Sequence, residues 1–401
     1  MMTAIEMTDR YERRVRELEA FGHRRSASAQ ERAAADYLVA QMQAMGLEPA
    51  KESFAGARSL AGRLLVHVLV AAAGAALLWT APAFTIILGA AALVSLLAEQ
   101  TTRVLLLTWP TVRFGSWNLS ARIPAARPPR RRIVLCAHYD TQHSGLVWAI
   151  NRRLMALAFR GPRLLKPPML PVVLMFCGQI GVGATAIAIG HALVVSVLAA
   201  LLLASYGVIS ALFVQWAIGR SVPGAADNAS GVAALLELAE GWRRAPGADD
   251  VELIVLLPGC EESGMLGAAA WADRHRREIR AIPTIFLNID GIGFGPPRFL
   301  GAEVPVAGLP IKTPQDIIAA CRQVAAQQGL SDAGPHALTG PTDGIAFLAR
   351  RIPGATIVGF RAGGVLPHYH TMQDTADNMD FAAARAGVDF AKALLTRFAT
   401  T

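Results

Sequence analysis

Two long stretches of this 401-residue chain carry no Asp, Glu, Lys or Arg: one runs from Leu64 to Ala98, the other from Pro167 to Gly219. No other feature constrains the fold as much. As one straight helix the first stretch would be about 52 Å long at 1.5 Å per residue, well beyond a bilayer hydrocarbon core of about 30 Å. Pro82 interrupts it, and Gly190–His191 offers a break in the second. Each stretch therefore reads as two spans joined by a tight turn. That gives four transmembrane helices in two hairpins, 61–105 and 167–219. The other reading, buried helices of a soluble protein, is disfavoured by runs of this length.

A composition of 53% hydrophobic and 17% charged residues fits a mixture of membrane and globular sequence. The formal net charge is +8, and the basic residues crowd the ends of the spans. Arg58 and Arg63 precede the uncharged stretch of the first hairpin and Arg103 follows it. Arg152, Arg153, Arg160, Arg163 and Lys166 precede the second, and Arg220 follows it. The turns near Ala81–Pro82 and Gly190–His191 carry no basic residue. Positive segments at span ends stay cytoplasmic, and Met1–Glu19 lacks the apolar core of a signal peptide. The expectation is a multi-pass integral membrane protein with its globular part in the cytoplasm. No nucleic-acid-binding motif accompanies the basic charge, so the partner it implies is the lipid bilayer and not nucleic acid. Cys136, Cys177, Cys260 and Cys321 form no CxxC pair, which speaks against a disulfide framework or a zinc knuckle.

Residues 1–60, 106–166 and 220–401 read as globular. Ser28 and Glu31 form a capping box, and Gly46 ends the helix that they open. Arg132–Ala137, Glu252–Leu257, Thr284–Ile289 and Thr356–Phe360 are short runs rich in Val, Ile and Leu, suited to strands buried on both faces. Helical stretches at Gly231–Trp242, Gly264–Glu278, Thr313–Gly329 and Phe381–Phe398 lie between or after them. The expected fold class is α/β, with a mostly parallel central sheet, helices on both of its faces, and the two hairpins inserted.

Ligands of open α/β sheets bind beyond the carboxyl ends of the strands. Each predicted strand is followed by groups that bind metal or move protons. His138 and Asp140 follow the first, Glu261 and Glu262 the second, and Asp290 ends the third. His368 and His370 follow the fourth, and Asp227 opens a helix between the first two. Imidazoles and carboxylates gathered at one sheet edge form a zinc site with N and O ligands. Two divalent ions about 3.5–4 Å apart need a shared ligand, and a carboxylate can bridge them. Adjacent Glu261 and Glu262 cannot easily both ligate, so one should bind metal and the other act on water. Asp140, two residues along the strand from His138, can orient its ring.

The stretches AHYDT (137–141), GAADNASGVAALLELA (224–239), CEESGMLGA (260–268), LNIDGIG (287–293) and YHTMQDT (369–375) resemble the M28 zinc peptidases. The helix from Arg24 to Gly46 and TDGIAF (342–347) are similar to further parts of that family. The resemblance implies a zinc-aminopeptidase-like fold and two Zn²⁺ ions. Asp227 would bridge them, His138 and Asp290 would complete one site, and Glu262 and His370 the other. Glu261 would be the general base for a metal-activated water, and Asp140 the support for His138. The implied activity is exopeptidase hydrolysis of N-terminal peptide bonds, with a peptide as substrate. A carboxypeptidase or deacylase, a glutaminyl-cyclase-like enzyme and a non-catalytic membrane scaffold are the alternatives. His368 competes with His370 as a ligand, and the YHT match favours His370. The chain departs from soluble members of the family in the two hairpins. The sequence does not specify side-chain preference or oligomeric state.

Overall fold

A computed structural model of the chain describes residues 4–100, 104–150, 169–245, 248–306 and 309–400, with the backbone alone for 4–9. Arg103, Arg152, Arg153, Arg160, Arg163 and Lys166, five arginines and a lysine counted above at the span ends, lie outside the described residues.

Among the described residues the strands are β1 (Ala50–Gly56), β2 (Phe114–Ile123), β3 (Arg131–Cys136), β4 (Val251–Leu257), β5 (Thr284–Asp290), β6 (Pro297–Glu303), β7 (Ile311–Lys312), β8 (His336–Leu338) and β9 (Gly354–Gly359). They form one sheet in the order β1-β2-β4-β3-β5-β9-β6-β7, with β8 beside β6. The sheet is mixed, which corrects the expectation of a mostly parallel one. The four strands expected from sequence are its parallel centre, β4-β3-β5-β9. The strands added by the structure make antiparallel edges: β1 with β2, β2 with β4, β9 with β6, and β6 with β7. The physical reason lies in burial. Central strands covered on both faces must be apolar throughout, whereas β1 (AKESFAG) leaves alternate residues in solvent, as an antiparallel edge permits.

Side chains along the central strands alternate between two cores, as the two-residue strand period requires. Ile133, Leu135, Leu253, Val255, Leu257, Leu287 and Ile289 point into the larger core. It is covered by α1 (Ala4–Glu19), α2 (Ala29–Ala44) and the later helices Ser230–Arg244, Gln315–Gln327 and Phe381–Thr400. Val134, Cys136, Ile254, Leu256 and Phe286 point the other way, against Met265, Trp271, Ile279 and Phe347.

Between β1 and β2 the chain forms α3 (Leu60–Ala76) and α4 (Pro82–Gln100); between β3 and Asp227 it forms α5 (Leu170–Ile189) and α6 (Leu193–Ala217). Pro82 opens α4, and Gly190, at φ +76°, ends α5. The helices α4, α5 and α6 are long and apolar enough to cross a membrane, whereas α3, also apolar, has 17 residues. All four pack around a shared apolar core that includes Leu64, Val68, Leu96, Phe176 and Tyr206. The two tight turns share one end of this bundle, where His191 Nε2 lies 3.0 Å from the carbonyl of Leu78.

The register of the sheet explains where the first hairpin stands. Gly56 pairs with Phe114, so α3 and α4 occupy the place of a turn between β1 and β2. Because β2 runs antiparallel to β4, that turn lies at the edge where β4 and its parallel neighbours end. The hairpin therefore leaves the sheet at the edge that carries the polar residues.

Candidate metal centre

The strand ends bring the singled-out residues together. His138 Nε2 lies 3.3 Å from Asp227 Oδ1 and 3.5 Å from Asp290 Oδ1. His370 Nε2 lies 3.0 Å from Asp227 Oδ2 and 3.3 Å from Glu262 Oε1. The result is two donor sets, His138–Asp227–Asp290 and Asp227–Glu262–His370, each with its ligand atoms within 4.8 Å of one another. Asp227 offers one oxygen to each. His368 stands apart, with Nδ1 3.0 Å from Gln373 Oε1.

The donor set fits a pair of divalent cations. Asp227, Glu261 and Glu262 are carboxylates buried around two imidazoles, an arrangement that is costly without a balancing positive charge. Glu262 Oε1 is buried and receives no hydrogen bond. Proton affinities respond accordingly. Burial, opposed by His138 and reinforced by Glu262, lifts the Glu261 carboxyl well above the usual carboxylate range. Burial likewise raises Glu262 to about 7. Burial works against a proton on His370, but Glu262 and Asp227 outweigh it and raise the ring to about 9.

Several elements hold this cluster in shape. Asp140 does so differently from the sequence expectation. The strand stops at Cys136, so His138 and Asp140 sit on a loop, and the His138 Nδ1 atom faces the Asp140 carbonyl at 3.2 Å. The Asp140 carboxylate stays 3.5 Å from Nδ1. It accepts hydrogen bonds from the Glu261 amide at 3.0 Å, the Glu262 amide at 3.2 Å and Ser26 Oγ at 2.6 Å. Asp140 thus ties the His138 loop to the Glu261–Glu262 loop.

Four supports are absent from the sequence reading. Arg24, fully buried, donates to the carbonyls of Tyr139, Leu18, Pro223 and Gly224 at 2.8–2.9 Å, joining the His138 and Asp227 loops. Asp374 accepts from the amides of Ala226 at 2.8 Å and Asp227 at 3.1 Å. Gln142 Nε2 donates to Glu262 Oε2 at 2.9 Å. Trp148 packs edge-on against the His370 ring at 4.2 Å and against Trp216, in the last turn of α6, at 4.9 Å. Asp374 and Gln142 stand within or beside the quoted motifs and could have been picked out there. Arg24 and Trp148 give no local signal, because their partners are distant in sequence.

Residues 213–394, which hold Asp227, Glu261, Glu262, Asp290 and His370, match the model of peptidase family M28. Among solved structures the fold is similar to a Zn-dependent exopeptidase from Parabacteroides distasonis ATCC 8503, at 14% identity over 96% of this chain and 97% of that one, with a TM-score of 0.53. It is also similar to the LapA aminopeptidase of Legionella pneumophila, at 12% identity over 98% and 72% of the two chains, with a TM-score of 0.55. A glutaminyl cyclase of Bacteroides thetaiotaomicron bound to N-acetylhistamine is similar at 15% identity over 98% of both chains, with a TM-score of 0.55. At these identities the likeness is one of fold. No curated protein matches the sequence.

Proposed function

We propose that this chain is a membrane-anchored, zinc-dependent exopeptidase that hydrolyses N-terminal peptide bonds. The observation that carries the reading is the sharing of Asp227 between two complete histidine–carboxylate donor sets, with a further buried carboxylate, Glu261, beside them. His138, Asp290 and Asp227 would hold one zinc, and Glu262, His370 and Asp227 the other. Zinc bound there supplies Lewis acidity and a water of lowered pKa.

The chain's own groups do the rest. Glu261 Oε2 lies 3.9 Å from His138 Nε2, beside the donor sets and outside both of them. It accepts the proton of the attacking water and returns it to the leaving amine. Asp140 fixes the Glu261 backbone, and Trp148 packs edge-on against the His370 ring.

Glutaminyl cyclases share the fold, so the chemistry needs a direct test. Purified protein is offered an aminoacyl p-nitroanilide, its N-acetylated analogue and a peptide with N-terminal glutamine. Hydrolysis of the free-amine substrate alone is the expected outcome. Ring closure of the glutamine, or preference for the acetylated compound, would replace this reading with a cyclase or a deacylase.

Anchoring rests on α4, α5 and α6, with α3 as the fourth span because it completes their bundle. Carbonate-resistant membrane association is expected. With both turns at one end of the bundle and no basic residue in either of them, we assign the metal centre to the cytoplasm. A reporter at the C-terminus that is active only after export should stay silent.

A further inference from the structure

We propose that Arg63, in the first turn of the membrane hairpin, is a positioning residue for the loop that carries Glu261 and Glu262, with Glu99 as its partner. The first hairpin then belongs to the catalytic centre and is more than an anchor. The inference rests on Glu261 being the general base, but its structural half can be tested without activity.

The loop is bonded from two sides. On one side the Asp140 carboxylate accepts from the amides of Glu261 and Glu262. On the other, the Arg63 guanidinium donates from Nη1 to the carbonyl of Ser263. Between these grips the backbone turns sharply. The amides of Gly264 and Met265 both reach the Glu261 carbonyl at 2.7 Å, and Cys260, Gly264 and Met265 have φ of +55°, +113° and +53°. A Cβ on Gly264 would stand 2.5 Å from Arg63 Nη1, so the loop is moulded on the guanidinium. Two non-glycine residues held at positive φ need surroundings that enforce the conformation.

Arg63 is itself held. Its Nη2 lies 3.0 Å from Glu99 Oε1, and both side chains are almost fully buried. Thr108 donates to the other Glu99 oxygen. His67 Nε2 lies 3.0 Å from Ser95 Oγ, which also accepts from the Leu107 amide at 3.1 Å. Helix α3, helix α4 and the segment that leads from α4 to β2 thus share one polar network that ends on the loop of Glu261 and Glu262. Joining two apolar helices to a domain requires no such network. An apolar pair of similar volume would serve as well, because a buried ion pair seldom repays its desolvation. Ionisable residues inside membrane segments are retained where they have work to do.

The test uses full-length protein in lipid nanodiscs. Arg63→Met and Glu99→Leu are combined, so that no unpaired charge stays buried, and Arg63→Lys is made separately. The first readout is hydrogen exchange of the amides of 261–265 in metal-stripped protein. The double variant should exchange there at least about tenfold faster while the sheet amides hold, and the lysine variant should lie between. The second readout is kinetic. kcat should fall on the order of 10²-fold, the scale of a 1 Å misplacement, with KM and bound zinc unchanged. Unchanged exchange in the loop would overturn the proposal, as would a kcat within twofold of wild type or an activity loss that merely follows zinc loss. If the wild-type protein hydrolyses no peptide while the loop loosens as described, the peptidase reading falls and the positioning role stands.

Discussion

The sheet domain and the helical bundle solve the same burial problem in opposite directions. The sheet domain keeps apolar residues such as Val255, Leu256 and Phe286 inside and leaves charged groups such as Arg122, Arg127 and Asp249 at its surface. The bundle shows the outside world Leu193, 81% exposed, Leu201, 59% exposed, and Val208, 62% exposed. Its buried polar side chains include Arg63, His67, Glu99 and Gln179. An apolar exterior around a hydrogen-bonded interior is what a lipid solvent selects. The contrast teaches that burial has to be read against the medium, since water and lipid reverse what an exposed leucine means.

On the two-zinc peptidase reading, substitutions of Asp227 and Glu261 should have the largest effects. Asp227→Ala should lose both zincs, measured by elemental analysis, together with detectable peptidase activity. Glu261→Gln should keep its zinc and lose roughly 10²–10⁴-fold in kcat. Metal loss from Glu261→Gln would show that this carboxylate is a ligand and erase the distinction drawn between Glu261 and Glu262.

The comparison itself is tested by charging the two exteriors. Leu201→Arg, at an exposed position within α6, should on the membrane-spanning reading cost about 3 kcal/mol of insertion free energy. Gln323→Arg, on an exposed helix face of the sheet domain, should stay within about 0.5 kcal/mol in chemical denaturation. Equal tolerance at both sites would mean that the bundle exterior faces water.

A pH experiment sharpens the same contrast inside the sheet domain. Burial raises the Glu303 carboxyl from 4.5 to about 8, and the Thr342 amide donates to it at 2.7 Å. Between those two values the folded protein binds more protons than the unfolded chain, so stability falls as pH rises from about 4.5 to about 8. Glu303→Gln imitates the protonated form. It should leave stability unchanged at pH 5 and add about 1–3 kcal/mol at pH 8. A gain of equal size at both values would assign the effect to packing. A modest change is expected in the bundle. Gln179 donates to the Thr85 carbonyl at 2.9 Å and accepts from Tyr206 at 2.6 Å. Gln179→Leu should cost only about 0.6–1.7 kcal/mol, measured by unfolding in detergent micelles.

The same contrast explains what could be read from the sequence. The central strands announce themselves because a strand covered on both faces must be apolar, as VELIVLL in β4 is. The edge strands do not, because AKESFAG could equally be a loop until Ala50 is seen opposite Ser120. Most of the site residues are legible because they stand close to a strand end or a helix start, whereas His370, well beyond the end of β9 at Gly359, is legible from the YHT match. Their supports were not: the contacts of Arg24 with Gly224 and of Arg63 with Ser263 both join residues 200 positions apart. The expectation that Asp140 shares a strand with His138 failed because β3 stops at Cys136, two residues earlier.

One feature of the sheet bears on how substrates arrive. Gly56 and Phe114, between which the first hairpin rises, belong to the same sheet edge as the metal centre. On the membrane-anchored reading, catalysis happens in the headgroup layer, and encounter becomes a search in two dimensions instead of three. A chain already tethered to the bilayer would be at high local concentration, whereas a free peptide would have to find a small target at a surface. Reach then becomes a selector. An extended chain covers at most about 3.3–3.6 Å per residue, so the number of residues between a substrate's first buried segment and its free amine would decide whether that amine arrives at the cleft. Such an enzyme would measure the length of a protruding end as well as its first side chain.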